Sequence, residues 1–400
     1  MRGGRAVCVT GVGAVTAAGA GRQELLRALR DGHSAVRANV VAGLPAGAAP
    51  DPPLDRASRR LDRSGALFLT AAEEAWRAAG LEDESFDPRR GGVIEGSSLG
   101  PMAGVVQVTR RQAVSTERGA PRPTDLLRFM TGAGGASVAQ LHGLRGIVLH
   151  LSAGSVSAMC AIGEAFLHIA AGRADVVVAG GAECPLQPDI VARFRAAGVL
   201  AEPRDGEAVC RPFDERRAGT VLGEGAGVLI LEAADHAARR GARVLARVEG
   251  YGIVCETDSM ISPNPDGSGV ADAARQALGR VPLDQVGWIK AHGTGTRSND
   301  AAECRGLAAA IGDRLRAIPL TSLKSTLGHC LGASGGIEAA AVVLAVGHDL
   351  VPGTLGTERV DPALPPCHVV MKPEEATARH VLLLAESFGG RCAALVLGRA

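Results

Sequence analysis

With 400 residues, 46% of them hydrophobic, the chain exceeds one ordinary core and is long enough for two packed halves. Lys plus Arg number 43 against 42 Asp plus Glu, so the net charge of +1 gives no ground for nucleic-acid or membrane-surface binding. Nine cysteines without a CxxC pair argue against a disulfide framework or zinc site, and an N-terminus without an apolar core argues against a signal peptide. A cytoplasmic protein is expected. Val7–Thr10 predicts a strand, Leu61–Gly80 a helix closed by glycine, and Gly91–Ile94 a second strand. Ile147–Leu151 predicts a buried strand that runs into a helix ending near Ala171. Asp175–Val178 and Val221–Glu232 are strand-like, and Ala233–Gly241 is a charged helix. A second round then follows. Val244–Tyr251 is a strand, Ala271–Leu278 a helix, Trp288–Ala291 a strand and Ala301–Ile311 a helix. Ile318–Ser322 is a strand, Gly335–Val346 a small-residue helix, and Val381–Ala385 and Ala393–Leu397 are closing strands. The alternation predicts an α/β protein with buried apolar strands, divided into residues 1–235 and 236–400.

Two glycine-rich stretches invite a nucleotide reading that their residues do not support. VTGVGAV at 9–15 has Thr16 where a third fingerprint glycine would stand, and no acidic residue follows at ribose distance. VIEGSSLG at 93–100 lacks the lysine of a phosphate-binding loop. Tight turns are the simpler expectation for both. Chemistry concentrates elsewhere. KAHGTGT at 290–296 and LKSTLGHCLGA at 323–333 each set a histidine beside a strand end or a Ser-Thr-Gly turn, where backbone approaches a ligand closely. A neutral imidazole there can stabilise a developing enolate or oxyanion. LSAGSVSAMCAIGEAF at 151–166 crowds three serines and a cysteine into a strand-to-helix turn, the place where a nucleophile is presented.

CRPFDERRAGTVLGEGAGVLILE at 210–232, together with KAHGTGT, SLKSTLGHCLGASGGIE and the final FGG, resembles the β-ketoacyl-acyl carrier protein synthases. The resemblance extends over nearly the whole chain through VTGVGAVTAAG, SRRLDRSGALFLTAAEEA, GLRG, AIGEAF and GRADVVVAGGAE. It implies a thiolase-like five-layered αβαβα fold of two duplicated halves, each with a mixed sheet. It also implies a dimer and substrates carried on the phosphopantetheine of an acyl carrier protein, with no metal and no separate cofactor. The implied reaction is acyl transfer to the nucleophile, malonyl decarboxylation and carbon–carbon bond formation in polyketide or related biosynthesis. By motif, His292 and His329 match the family's histidine pair. Thr294 and Thr296 match its pantetheine-contacting threonines, and Lys324 and Glu338 match its orienting pair.

The nucleophile turn departs from the family pattern. Anchored on Ala161–Phe166, the resemblance puts Ser155 where the family has cysteine. Cys160 lies five residues on, about 140° round a helix, which suits a core residue. A hydroxyl ionises far less readily than a thiol and needs a base, which His292 or His329 would supply. In the C-terminal loop, LLLAESFGG places Phe388 on the family's gating phenylalanine, and the N–H groups of Ser155 and Phe388 would form the oxyanion hole. Three readings follow from the resemblance and this departure. One is acyl transfer to Ser155 followed by condensation, decarboxylation or cyclisation. Another is a chain-length-factor-like subunit of a heterodimer, and the third is a Cys-to-Ser variant of an ordinary condensing synthase. Retention of both histidines and the lysine argues against a passive partner.

Overall fold

The computed structural model describes residues 4–41, 44–53, 55, 57–82, 84, 86–114, 123–202, 210–279 and 281–400. The first round of strands comprises β1 (Val7–Thr16), β2 (Gly91–Gly96), β3 (Val148–Leu151), β4 (Val176–Glu183) and β5 (Gly225–Ala233). The second comprises β6 (Ala246–Cys255), β7 (Val286–Lys290), β8 (Pro319–Thr321), β9 (His368–Val369), β10 (His380–Ser387) and β11 (Arg391–Arg399). In space the first round runs β1-β5-β4-β2-β3 and the second β6-β11-β10-β7-β8, with β9 beyond it. In both rounds the first two pairings are antiparallel and the next two parallel. The two halves are therefore copies of one mixed-sheet topology, as the resemblance implied. They meet where Val7–Val9 of β1 pairs with Ala246–Val248 of β6.

Two helices occupy the equivalent place in each half, α1 (Ser157–Ala170) after β3 and α2 (Ser334–Val346) after β8. They pack on each other and on strands of both halves, forming the middle layer. Met159, Ile162, Ile337 and Val342 of these helices are buried in one core cluster with Val7, Leu229 and Leu395. The small residues of α2 have a packing reason. A Cβ on Gly335 would press into the backbone of Met159, and one on Gly336 would meet the Gly227 carbonyl.

The VTGVGAV glycines do not make the tight turns expected of them. Gly11 and Gly13 lie inside β1, where a Cβ would strike the carbonyls of Ala75 and Ala71 on the helix Arg63–Ala78. Their absent side chains let that helix lie against the strand, an approach that only glycine permits. Its N-terminus is held by Asp62, which accepts the N–H groups of Ser64 and Gly65. No helix among the described residues is long and apolar enough to cross a membrane.

Candidate active site

Because the parallel strands of both halves run the same way within their copies, the turns after β3, β7 and β8 emerge at their carboxyl ends, where open α/β sheets bind ligands. Ser155 belongs to the turn between β3 and α1. Gly154 takes a left-handed φ of 66°, and Ser157 ties the turn by donating to the Gly154 carbonyl at 2.6 Å and accepting the Ala153 N–H at 2.8 Å. His292 follows β7, in a turn made possible by Gly293 (φ 45°) and Gly295 (φ 79°). Two carboxylates from the helix Arg297–Ile311 pin this turn. Glu303 accepts the N–H groups of His292 and, at 2.8 Å, of Gly293. Asp300 accepts those of Gly295 (3.1 Å) and Phe213 (2.8 Å). Burial pushes Glu303 up to about 7 and Asp300 up to about 6, against the lowering effect of those N–H donors.

His329 follows β8 and its backbone N–H donates to the Val221 carbonyl at 2.7 Å. Its Nε2 lies 3.3 Å from Ser155 Oγ and its Nδ1 lies 3.0 Å from Ser334 Oγ. The His292 ring stands edge-on to it, with ring centroids 5.3 Å apart at 85°. His292 Nδ1 is buried and has no hydrogen-bond partner among the described residues. Burial lowers the pKa of both histidines well below the usual value, and the Lys324 charge lowers it further. Both imidazoles are therefore neutral at pH 7.

Behind the histidines sits a buried charge cluster. Glu338 on α2 accepts from Lys324 Nζ at 2.7 Å and from Lys290 Nζ, and Lys290 also donates to the Leu384 carbonyl at 2.9 Å. Burial lowers the Lys290 pKa, opposed by Glu338 and reinforced by Lys324. The sequence reading found Lys324 and Glu338 but gave Lys290 no role. Its signal was its rarity, since the chain has only three lysines, Lys290, Lys324 and Lys372.

A cavity of about 920 Å³ is lined by Ser155, His292, His329, Thr294, Thr296 and Phe388. The Thr294 and Thr296 hydroxyls are 2.9 Å apart. The structure thus brings together in one cavity Ser155, both histidines and both threonines. Lys324 and Glu338 are buried and do not line the cavity. Cys160 is 4% exposed in the core, and burial raises its thiol pKa, as its placement on α1 suggested. The SSLG turn is held by Glu183, which accepts from Ser97 Oγ (2.9 Å) and from the N–H groups of Ser98 (2.6 Å), Leu99 (3.1 Å) and Gly332 (3.1 Å). That carboxylate ties the first half to the loop following His329.

Two further wall residues were not picked out from the sequence. The Ser387 hydroxyl accepts the Ser155 N–H at 2.8 Å. Glu386 is 5% exposed, and neither of its carboxyl oxygens has a hydrogen-bond partner among the described residues. Burial raises its pKa well above the carboxylate range, and nearby Glu303, Glu256 and Asp300 raise it further against the pull of Lys324. Both effects favour the protonated form of Glu386 in the folded protein. The unfolded chain releases that proton near the ordinary carboxylate value, so native stability declines as pH rises from there toward the higher folded value. Glu386→Gln removes this slope. Urea unfolding from pH 5 to pH 9 is expected to show the variant gaining on the wild type by up to about 1.4 kcal/mol per pH unit. Parallel curves would show that Glu386 is ionised in the native state.

The chain matches the family models for the β-ketoacyl synthase N-terminal domain over residues 4–237 and C-terminal domain over 245–358. It is 34% identical to the tetracenomycin polyketide synthase ketoacyl synthase alpha subunit of Streptomyces glaucescens, covering 98% of this chain and 97% of that protein. Among solved structures, it superimposes with a TM-score of 0.91 at 29% identity on a chain of a type II polyketide acyl-carrier protein in complex with its ketosynthase bound to the hexaketide. That match covers 99% of this chain and 100% of the other. The ishigamide ketosynthase/chain length factor is similar with a TM-score of 0.89 at 30% identity, over 99% and 100% of the two chains.

Proposed function

Because the chain belongs to the β-ketoacyl synthase family, we propose that it acts as an acyltransferase on carrier-bound thioesters in polyketide or related specialised biosynthesis, with Ser155 as nucleophile. The observation that carries this is the 3.3 Å approach of Ser155 Oγ to Nε2 of a neutral His329, itself seated on Ser334. In the tautomer whose Nδ1–H donates to Ser334, His329 presents a bare Nε2 to the serine hydroxyl, the geometry a general base requires. Ser155 Oγ attacks the thioester carbonyl carbon and its proton passes to His329 Nε2. The carbonyl π pair moves onto oxygen. Collapse of the tetrahedral adduct expels the pantetheine thiolate, which recovers the proton from His329 and leaves an oxygen ester on Ser155.

An oxygen ester is more stable than a thioester, so loading runs downhill and passing the acyl group to a carbanion is the harder half. His292, neutral and lining the cavity beside His329, suits stabilisation of an enolate formed by loss of CO₂ from a malonyl unit. Thr294 and Thr296 on the cavity wall suit the pantetheine arm. The substrate would arrive on an acyl carrier protein, and no further cofactor or metal is needed for these steps. Localisation in the cytoplasm remains part of this reading.

The test is release of CO₂ from a malonyl-carrier substrate by the purified chain. Release in the wild type, reduced by about 10²-fold or more in His292→Ala, is the expected result. Absence of release together with obligate pairing to a second ketosynthase-like subunit would favour the chain-length-factor-like reading instead.

Homodimerisation belongs to the same proposal. β3 is the outermost strand of its half, and its Val148 and Leu149 are 40% and 42% exposed. An uncovered apolar edge strand is a pairing surface. Light scattering after size exclusion is expected to report a dimer that the double variant Val148→Asp, Leu149→Asp converts to monomer. An unchanged mass would place any dimer contact elsewhere.

A further inference from the structure

Ser387 ends β10, and its hydroxyl sits between the nucleophile turn and the loop of Phe388. It accepts the Ser155 N–H at 2.8 Å, so that N–H is not open to a substrate oxygen. The seat is specific. A Cβ at Gly154 would collide with Ser387 Oγ, and Gly154 holds its left-handed φ of 66° there. The Ser387 hydroxyl is half-buried, lines the same cavity as Ser155, His292 and His329, and donates to no acceptor among the described residues.

We propose that the Ser387 hydroxyl is the oxyanion donor of this enzyme, standing in for the Ser155 N–H and acting beside the N–H of the next residue, Phe388. The proposal rests on acyl transfer to Ser155. A hydroxyl that accepts from a backbone N–H is polarised toward donating its own proton, because hydrogen bonds in a chain reinforce one another. As Ser155 attacks and the thioester carbonyl π pair moves onto oxygen, the new oxyanion takes its hydrogen bond from Ser387 Oγ–H, and no proton is transferred. The oxyanion then lies one hydroxyl further from Ser155 N than a direct N–H contact would put it, which fits a site whose nucleophile is an oxygen held by His329.

Ser387→Ala and the wild type are compared in two ways. The first is the rate of acylation by an acyl-pantetheine thioester. A drop of at least about 10-fold in kcat with little change in KM is expected, as for removal of an oxyanion donor. The second does not require chemistry. A ¹³C-carbonyl thioester is bound to Ser155→Ala, and its infrared carbonyl stretch is read with and without Ser387→Ala. The stretch should sit at lower frequency when the hydroxyl is present. If acylation and binding both occur but Ser387→Ala leaves rate and band unchanged, this assignment alone falls. If the variant acylates faster, the hydroxyl is a plug over the Ser155 N–H and the assignment is overturned. If the thioester neither acylates the wild type nor gives a bound band, the acyl-transfer reading fails and takes this assignment with it.

Discussion

His329→Ala is expected to slow acylation of Ser155 by about 10²- to 10⁴-fold, the range for loss of a positioned general base. The size of the effect follows from the nucleophile. A serine hydroxyl is almost wholly un-ionised at neutral pH, so its proton must leave during attack, and His329 Nε2, 3.3 Å away, is the acceptor. A thiol at the same position depends less on a base, because a thiolate forms near neutral pH at a helix N-terminus. Ser155→Cys should therefore load faster than the wild type, and His329→Ala should cost less in the cysteine background than in the native one. The comparison is a double-mutant cycle read in acylation rates. Equal losses in the two backgrounds would show that His329 acts on the substrate and not on the nucleophile.

Glu338→Ala is expected to carry the largest stability cost, about 3–5 kcal/mol, as for removal of one partner from a buried ion pair. Glu338 compensates two lysines that are fully buried, Lys324 at 2.7 Å and Lys290. Without it, one proton or both must leave, or water must enter between β7 and α2. Lys290→Met in the same background removes one of the unpaired ammonium groups and should recover part of the loss in a chemical denaturation curve. Full stability in Glu338→Ala alone would mean that both lysines are neutral in the folded protein. The same cluster keeps positive charge near the two histidines, so Glu338→Gln should lower their pKa further and leave them neutral over a wider pH range.

Much of this architecture was legible because buried strands read as short apolar runs, but the same reading misjudged Val148–Leu151, an apolar run expected to be buried that lies at the sheet edge with Val148 and Leu149 exposed. The helix Ala133–Leu141 was not legible. Its AGGASVAQL carries two glycines of low helix propensity and drew no assignment, yet Gly134 and Gly135 lie against Glu95, and Gly135 donates its N–H to that carboxylate at 2.8 Å. Close packing there outweighs poor helix propensity. The histidines, threonines, Lys324 and Glu338 could be read from motifs because each motif is local in the chain. Ser387 could not. Its contact with Ser155 joins residues 232 apart, and a serine at a strand end has no pattern of its own. Lys290 and Glu386 were hidden for a related reason. Charged residues are ordinarily read as exposed, and only the fold reveals that Glu338 and the Leu384 carbonyl satisfy the first, while burial raises the pKa of the second.

The central claim, that the hydroxyl at position 155 carries the acyl group, is tested most directly by mass spectrometry of the protein after incubation with an acyl-pantetheine thioester. The account predicts a single added acyl mass that survives thiol treatment, maps to the peptide bearing Ser155 and is absent in Ser155→Ala. An adduct on a cysteine such as exposed Cys255, or no adduct under conditions where the thioester binds, would contradict it.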